Sequence, residues 1–426
     1  IALIVVLIVL LCLRVPVGFA LGIIGIGGYY FIGGVTMITT AASASYFGLS
    51  GFELSAMPLY ILMGEIILHS GIGRDLFEVA RKWVGHLKAG LAISSVAACA
   101  MFGAMCGTST GGTVTIGAVA IPEMMREGYH KRLATGTIAA AGGLGMLIPP
   151  SIPMILYASV TETSVGRLFM AGLIPGIILA ILYASFAVLI ATRCPSWAPL
   201  APAASFKERV FSLRKLWVVL VLVIAVLGTI YLGITTPTES ASFGVIGALL
   251  IAWLFYRTLN RKTLKEIFFV SARTAVSLGI ILAGAIIFGS FVTAVNIPQD
   301  IIKFIGGLHI APWVTIIGLM AMLFVVGMFI SASSMVLITV PILYPLVISL
   351  GYDPYWFGII MILACEMATI TPPVGFNLFV IKSISPKGVT MWDIIAGAFP
   401  FVICDFTATL IILFFPQIAT WLPNTM

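Results

Sequence analysis

Two stretches of this sequence set hydroxyls, glycines and tandem prolines into apolar runs, and they do so in the same order. The first pairs Cys106-Gly107-Thr108-Ser109-Thr110-Gly111-Gly112 with a later Ile148-Pro149-Pro150-Ser151. The second pairs Ile330-Ser331-Ala332-Ser333-Ser334 with a later Thr369-Ile370-Thr371-Pro372-Pro373. Hydroxyl and freed carbonyl oxygens are hard ligands suited to Na⁺. Half-helix N-termini offer N–H groups and a positive dipole end to an anion. Glycines let the two halves of a broken helix approach closely. Pro149 and Pro150 remove two N–H donors and leave carbonyls free, and Ser151 adds a hydroxyl. Ser331, Ser333, Ser334, Thr369 and Thr371 repeat this inventory in the second half. Neither cluster contains an acidic residue, which disfavours a proton-coupled carboxylate there.

Such clusters also arise as close-packing faces between membrane helices. Their duplication in order is what favours a site. A backbone in lipid cannot leave N–H and C=O groups unpaired, so breaks at membrane depth persist only where they line a cavity or bind something. Matching breaks in corresponding halves point to a transporter's substrate and ion sites. Ionisable residues at membrane depth are further candidates: Glu53, Glu65, Glu239, Glu366, Asp405 and Lys382. Glu53 and Glu239 lie at span ends and read as interface or helix N-terminal acids. Glu366, near the second break, is the acid most suited to a role at the site, and Asp405 reads as a buried structural partner. An intramembrane enzyme would need a nucleophile with its base at common depth; Ser109 and Ser331 have no such neighbour in their own halves, so an enzyme is not expected. A continuous channel suits two broken hairpins less well than an occluding carrier.

The elements that must position these residues are membrane spans. The chain is 61% hydrophobic and 9% charged over 426 residues, against a soluble average near 25% charged. We read ten crossings: Ile1–Leu13, Val17–Gly34, Phe52–Ser70, Leu133–Val160, Val165–Thr192, Leu216–Gly233, Ser240–Tyr256, Ala275–Val295, Trp356–Lys382 and Trp392–Leu422. The apolar but broken segments Leu91–Met125 and Trp313–Ile348 are read as re-entrant hairpins that enter and leave on one side. With that assignment every Lys and Arg except Arg167 and Lys303 falls on one face, which the positive-inside rule makes cytoplasmic. Both ends are then expected on the periplasmic side. The net charge of +7 is accordingly a topology signal, with no nucleic-acid partner implied. Trp83, Trp313, Trp356, Trp392 and Trp421 sit at span ends as an interfacial belt would. The sequence opens on Ile1 and a short apolar run, so a longer natural chain or an upstream fusion is expected, without a signal peptide.

The halves echo each other. Leu13-Arg14-Val15-Pro16 and Thr236-Pro237-Thr238-Glu239 introduce corresponding spans. Gly73–Glu78 and Pro298–Lys303 precede the two hairpins as amphipathic arms along the interface. A hairpin, a Pro-Pro-broken span and a final span then follow in each half. Five crossings per half invert the second repeat, and the polar stretch Arg193–Arg214 links them. The fold class expected is therefore an all-α integral membrane protein with inverted repeats, two re-entrant hairpins and two Pro-Pro-broken helices. Four histidines, His69, His86, His130 and His309, form no metal-ligand cluster, and the six cysteines read as small core residues.

The motifs Gly107–Gly112, Ile121-Pro122-Glu123-Met124, Gly128-Tyr129, Ile148–Ser151, Thr236–Glu239, Gly327-Met328-Phe329, Pro341-Ile342-Leu343, Thr371-Pro372-Pro373-Val374-Gly375 and Trp421-Leu422-Pro423 resemble the large membrane subunit of TRAP transporters. The resemblance covers essentially the whole chain. It implies tripartite, sodium-driven uptake of carboxylated solutes in the bacterial inner membrane by an elevator mechanism. The implied partners are an extracytoplasmic substrate-binding protein and a small four-helix membrane subunit, separate or fused upstream, within surrounding lipid. Many relatives, dicarboxylate carriers among them, have an acidic residue where this chain has Ser331. The wording around Met101–Thr113 and Gly327–Met335 is most similar to the sialic-acid branch. N-acetylneuraminate is thus the expected substrate, with a C4-dicarboxylate as runner-up.

On this resemblance, two or more Na⁺ ions are expected. One would be held by Ser109, Thr110 and carbonyls near Gly143 and Gly145, another by Ser331, Ser334, Thr369 and Thr371. The substrate carboxylate would lie near Thr108, Pro150, Ser151 and Ser333. Residues 91–160 and 313–382 would form the moving transport domain. Residues 1–90 and 216–312 would supply scaffold spans and arms, 161–215 a span with the inter-repeat linker, and 383–426 the final span. A self-sufficient sodium–carboxylate carrier would show the same breaks and is separated only by its independence of a binding protein.

Overall fold

A computed structural model describes residues Ala2–Thr425, leaving aside the side chains of residues 2–5 and of Glu53. Glu53, a candidate acid from the sequence, therefore lies with its side chain outside the described residues. Those residues form helices and connecting turns, with no strand among them. Seven helices are long and apolar enough to cross a membrane, or up to nine if two bent pairs each count as one span.

Both hairpins are present. In the first, Gly90–Cys106 leads through Gly107 and Thr108 into Ser109–Arg126. Gly107 takes φ +69, the left-handed region open to glycine, and reverses the chain. The amide of Leu91 donates to the Tyr129 hydroxyl at 3.2 Å. The start of one arm thus meets the residues just past the end of the other, so the segment enters and leaves at one level. The second hairpin runs Pro312–Gly327 and Ala332–Ser349. Each is followed by a broken helix: Lys131–Leu147 with Ile152–Thr161, and Pro354–Thr369 with Phe376–Ile384. Pro149-Pro150 and Pro372-Pro373, which cannot donate to a helical ladder, occupy the two gaps.

Hairpin tips and helix breaks are joined the same way in both halves. Gly107 O accepts from Ile152 N at 3.2 Å, and Met328 O accepts from Val374 N at 3.2 Å. A carbonyl left free where one hairpin arm ends is thereby satisfied by an amide left free where a helix resumes.

The amphipathic arms also form. Ile72–Val84 turns 67° from the preceding helix Ala56–Ser70 and buries Ile72, Leu76, Phe77, Val79 and Ala80 along one side. Ile297–Gly307 holds the matching place in the second half. The first arm is tied at its charged side: Lys215 Nζ donates to Asp75 at 2.9 Å and to Glu78 at 2.7 Å, and Tyr256 Oη donates to Asp75 at 2.8 Å. Arg81 pairs with Glu123 on the first hairpin. The linker contains the helix Phe206–Ser212, capped reciprocally by Ser205 and Glu208.

Three span boundaries shift, and one tryptophan is reassigned. The helix begun at Val17 kinks at Gly33 and Gly34 but continues to Leu49 instead of stopping at Gly34. The span expected from Ala275 starts at Arg261 and is 34 residues long, because Asn260 caps it by accepting from Thr263 N. The final span ends at Phe414, where Pro416 cannot continue it, instead of reaching Leu422. Trp356 is not part of an interfacial belt: it is fully buried, stacks on Tyr352 at 4.7 Å and donates to Ile412 O at 2.9 Å. Trp83, Trp313, Trp392 and Trp421 are exposed as expected.

Candidate functional site

One cavity of about 190 Å³ collects both hairpin tips and both helix breaks. Thr108, Ser109 and Thr110 come from the first tip, and Ser331, Ala332 and Ser333 from the second. Met146, Ile152 and Pro153 flank the first break, and Thr369, Phe376 and Asn377 the second. Thr274 and Leu278 of the long helix Arg261–Ala294 close the remaining side. Residues separated by more than two hundred positions thus face one space, and the lining carries hydroxyls and an amide without a charged side chain.

Helix polarity gives this space its chemistry. The returning arm of each hairpin begins here, as does the second half of each broken helix. Thr108 caps the first arm by accepting from Gly111 N at 3.3 Å, and Ser331 caps the second by accepting from Ser334 N at 3.3 Å. Each cap satisfies one of about four free amides at such an end, so N–H groups and a positive dipole end remain. The opposing C-termini at Cys106, Leu147, Gly327 and Thr369 bring carbonyl oxygens. Anion-binding and cation-binding backbone groups therefore lie side by side, as a carboxylate with accompanying Na⁺ requires.

The side chains add an ordered polar layer. Ser109 Oγ donates to Asn377 Oδ1 at 2.9 Å, and Asn377 Nδ2 donates to Ala139 O at 2.9 Å. This fully buried asparagine ties the first hairpin tip to the broken helices of both halves. Ser331 Oγ donates to Ser334 Oγ at 2.9 Å. Thr369 Oγ1 and Thr371 Oγ1 donate back to Glu366 O at 2.8 Å and Met367 O at 2.7 Å, leaving oxygen lone pairs as acceptors.

Of the expected Na⁺ ligands, Ser109, Thr110, Ser331 and Thr369 line the cavity, whereas Ser334 and Thr371 do not. Gly145 abuts the first tip closely enough that a Cβ would lie 2.7 Å from Thr108 O. Gly143 faces away from the cavity, against the Glu366 carboxyl, where a Cβ would meet Oε1 at 2.7 Å. Of the expected substrate contacts, Thr108 and Ser333 line the cavity and Pro150 does not. Ser151 is fully buried, donates to Met146 O at 2.5 Å and accepts from Met154 N at 3.4 Å. In this conformation it caps the resumed helix and does not reach the cavity.

Sequence reasoning missed Asn377, Thr274 and Leu278. Asn377 carried one signal, a lone carboxamide in an apolar run just past a Pro-Pro pair, but its partners are 268 and 238 positions away. A second cavity adjoins the first, lined by Glu65, Thr108, Thr110 and Thr274 among others. Glu65 lies 3.9 Å from His69 Nδ1 across one helical turn. Glu239 is an exposed N-terminal acid that accepts from Thr236 N at 2.8 Å, in line with its reading as a cap. Lys382 Nζ donates to Val389 O at 2.6 Å.

Residues 4–418 match the family model described as tripartite ATP-independent periplasmic transporter, DctM component. A C4-dicarboxylate TRAP transporter large permease of Pseudomonas aeruginosa is 36% identical over 88% of this chain and 86% of that protein. A sialic acid TRAP transporter large permease of Vibrio cholerae is 29% identical over 97% and 96%. Among solved structures, the YdaH transporter of Alcanivorax borkumensis superposes with a TM-score of 0.65 at 15% identity, over 92% of this chain and 89% of that one. That likeness carries the fold alone.

Proposed function

This chain belongs to the DctM component family of tripartite ATP-independent periplasmic transporters, and from that premise we propose that it performs sodium-coupled uptake of a small carboxylate. It is a multi-pass protein of the bacterial inner membrane and a permease subunit, not an enzyme. The observation that carries the reading is the meeting of two capped hairpin tips and two helix breaks around one uncharged, hydroxyl-lined cavity. Sodium ions would sit with Ser109 and Thr110 in one half and with Ser331 and Thr369 in the other, supported by Ser334 and Thr371. The substrate carboxylate would lie between Thr108 and Ser333, on the half-helix N-termini.

Residues 91–160 and 313–382 would move as an elevator against the remaining spans, with both ends of the chain periplasmic. The small membrane subunit and an extracytoplasmic binding protein would complete the assembly. The lower identity to the sialic-acid permease than to the C4-dicarboxylate permease favours a four-carbon diacid over N-acetylneuraminate.

Charge arithmetic separates the two substrates. A tenfold Na⁺ gradient is worth about 1.4 kcal/mol per ion. Two Na⁺ with a dianion move no net charge and support roughly hundredfold accumulation under that gradient. Two Na⁺ with a monoanion add about 2.3 kcal/mol at 100 mV, raising the limit to a few thousand-fold.

The test is uptake of labelled C4-dicarboxylate and labelled N-acetylneuraminate into liposomes containing this chain with its small subunit. An inward Na⁺ gradient is imposed, and the binding protein is added or omitted. Dicarboxylate uptake that needs both sodium and the binding protein is the expected result. Uptake of N-acetylneuraminate alone would reverse the substrate assignment, uptake without the binding protein would make the chain a self-sufficient carrier, and uptake without sodium would refute the coupling.

A further inference from the structure

The turn between two consecutive spans of the second half holds a crevice away from the hairpin tips, and none of its residues lines the cavity described above. The helix Pro237–Leu250 winds its last turn, Ile251–Phe255, as a π-helix, and Tyr256 N donates to Ile251 O at 3.3 Å. Arg257 then takes φ +51, a left-handed conformation that residues other than glycine seldom adopt. Asn260 caps Arg261–Ala294 and the chain runs back. Both helices pack against Ala56–Ser70 but make little contact with each other. They diverge from the turn and leave a wedge between them.

That wedge holds a cavity of about 350 Å³, with Leu249, Leu250 and Trp253 on one side and Leu259, Arg261 and Leu264 on the other. A second cavity, of about 400 Å³, shares Trp253 and Leu259 with the first and adds Arg257. The walls are therefore apolar, and the two arginines stand at the turn end. Residues 257–265 carry Arg257, Arg261, Lys262 and Lys265 with no acid among them. None of these four forms a salt bridge among the described residues. On the positive-inside reading this turn lies at the cytoplasmic membrane surface, where the exposed Trp253 suits the interface.

We propose that this wedge binds a phospholipid whose head group carries a net negative charge. Its phosphate lies with Arg257 and Arg261, and an acyl chain runs along Leu249, Leu250, Trp253 and Leu264. Basic pockets between spans on the cytoplasmic side are suited to anionic head groups. The guanidinium fork matches phosphate oxygens in pairs and is more weakly hydrated than an ammonium, so it gives up water readily at such a contact. A free phosphate would use the arginines and leave the apolar walls uncovered, whereas a lipid uses both. The proposal depends on the chain spanning a membrane and is independent of which solute or ion it carries.

The test uses the complex with its small subunit in phosphatidylcholine bilayers. Increasing fractions of phosphatidylglycerol or phosphatidylcholine brominated on the acyl chains are added, and tryptophan fluorescence is read. The contribution of Trp253 is the difference between the native protein and Trp253→Phe. Its half-quenching is expected at a mole fraction of brominated phosphatidylglycerol about fivefold or more below that of brominated phosphatidylcholine, fivefold being what one basic side chain contributes at an anionic surface. Arg257→Gln together with Arg261→Gln is expected to abolish the preference. Equal quenching by the two lipids, or a preference that survives the double substitution, overturns the site. Absence of any Trp253 quenching would show that protein covers the wedge, and overturns it equally. If the double variant does not assemble, the native complex is measured in 1 M salt, where charges are screened within about 3 Å. The preference is expected to shrink there, and one indifferent to salt overturns the proposal.

Discussion

Replacing Asn377 with alanine tests whether the hydrogen bonds across the site hold the first hairpin tip. Asn377 accepts from Ser109 Oγ and donates to Ala139 O, each at 2.9 Å, and is fully buried. Truncation does not strand either partner completely. Ala139 lies inside a helix, where its carbonyl keeps its own ladder bond, and Ser109 borders the cavity, where water can replace the amide. Each loss then costs about the net value of one hydrogen bond, 0.5–1.5 kcal/mol, for a total of roughly 1–3 kcal/mol. Unfolding in mixed micelles is the assay, run as a double-mutant cycle with Ser109→Ala. The two side chains touch, so the single effects should fail to add by about 0.5 kcal/mol or more. Sodium-dependent uptake measured alongside should show a raised half-saturation concentration, because the freed tip no longer presets Ser109 and Thr110. Additive effects, or an Asn377→Ala change below about 0.5 kcal/mol, would refute the claim that this bond organises the tip.

Ser109→Ala and Ser334→Ala are each expected to raise the sodium concentration for half-maximal uptake; unchanged sodium dependence in both would remove them as ion ligands or supports. Gly397→Ala places a Cβ 2.1 Å from Arg132 O, where the final span crosses the first broken helix. Overpacking there should destabilise by at least about 1–3 kcal/mol, and a native-like unfolding midpoint would contradict the crossing. A cysteine-free variant should fold and transport, since the described cysteines are all free and four are buried as small core residues; failure to fold would show otherwise. The Lys215 ammonium holds the Glu78 carboxyl below its ordinary range, so the arm–linker tie is present at neutral pH and is lost as pH falls through that lowered value. Hydrogen exchange of residues 72–84 should accelerate only in that acid window, and Lys215→Met should abolish the pH dependence.

Much of this molecule was legible in the sequence because membrane folding writes backbone exceptions into composition. The Gly107–Gly112 and Ile330–Ser334 clusters stand out against apolar surroundings, and they mark the hairpin tips. The arms were legible from charge alternating with apolar residues at helical spacing, as in Gly73–Glu78. Asn377 was not, because its meaning lies in partners brought from the opposite half of the chain. Ser151 was misplaced for a related reason: a hydroxyl beside Pro-Pro can cap a helix or bind a ligand, and type alone does not distinguish them. Helix ends were the other weak point. The helix from Val17 runs past Gly34 because a paired glycine kinks it without ending it, and the Arg261 helix begins early because of an asparagine cap.

The paired contacts Gly107 O to Ile152 N and Met328 O to Val374 N have a practical consequence for anyone recombining relatives of this protein. A hairpin and the broken helix after it complete each other's main chain, so they form one exchangeable block. Chimaeras joined between Arg126 and Lys131, or between Ser349 and Pro354, would mate a tip from one parent with a break from another. Junctions should instead fall before Gly90 and after Thr161, and before Pro312 and after Ile384, so that tip and break travel together.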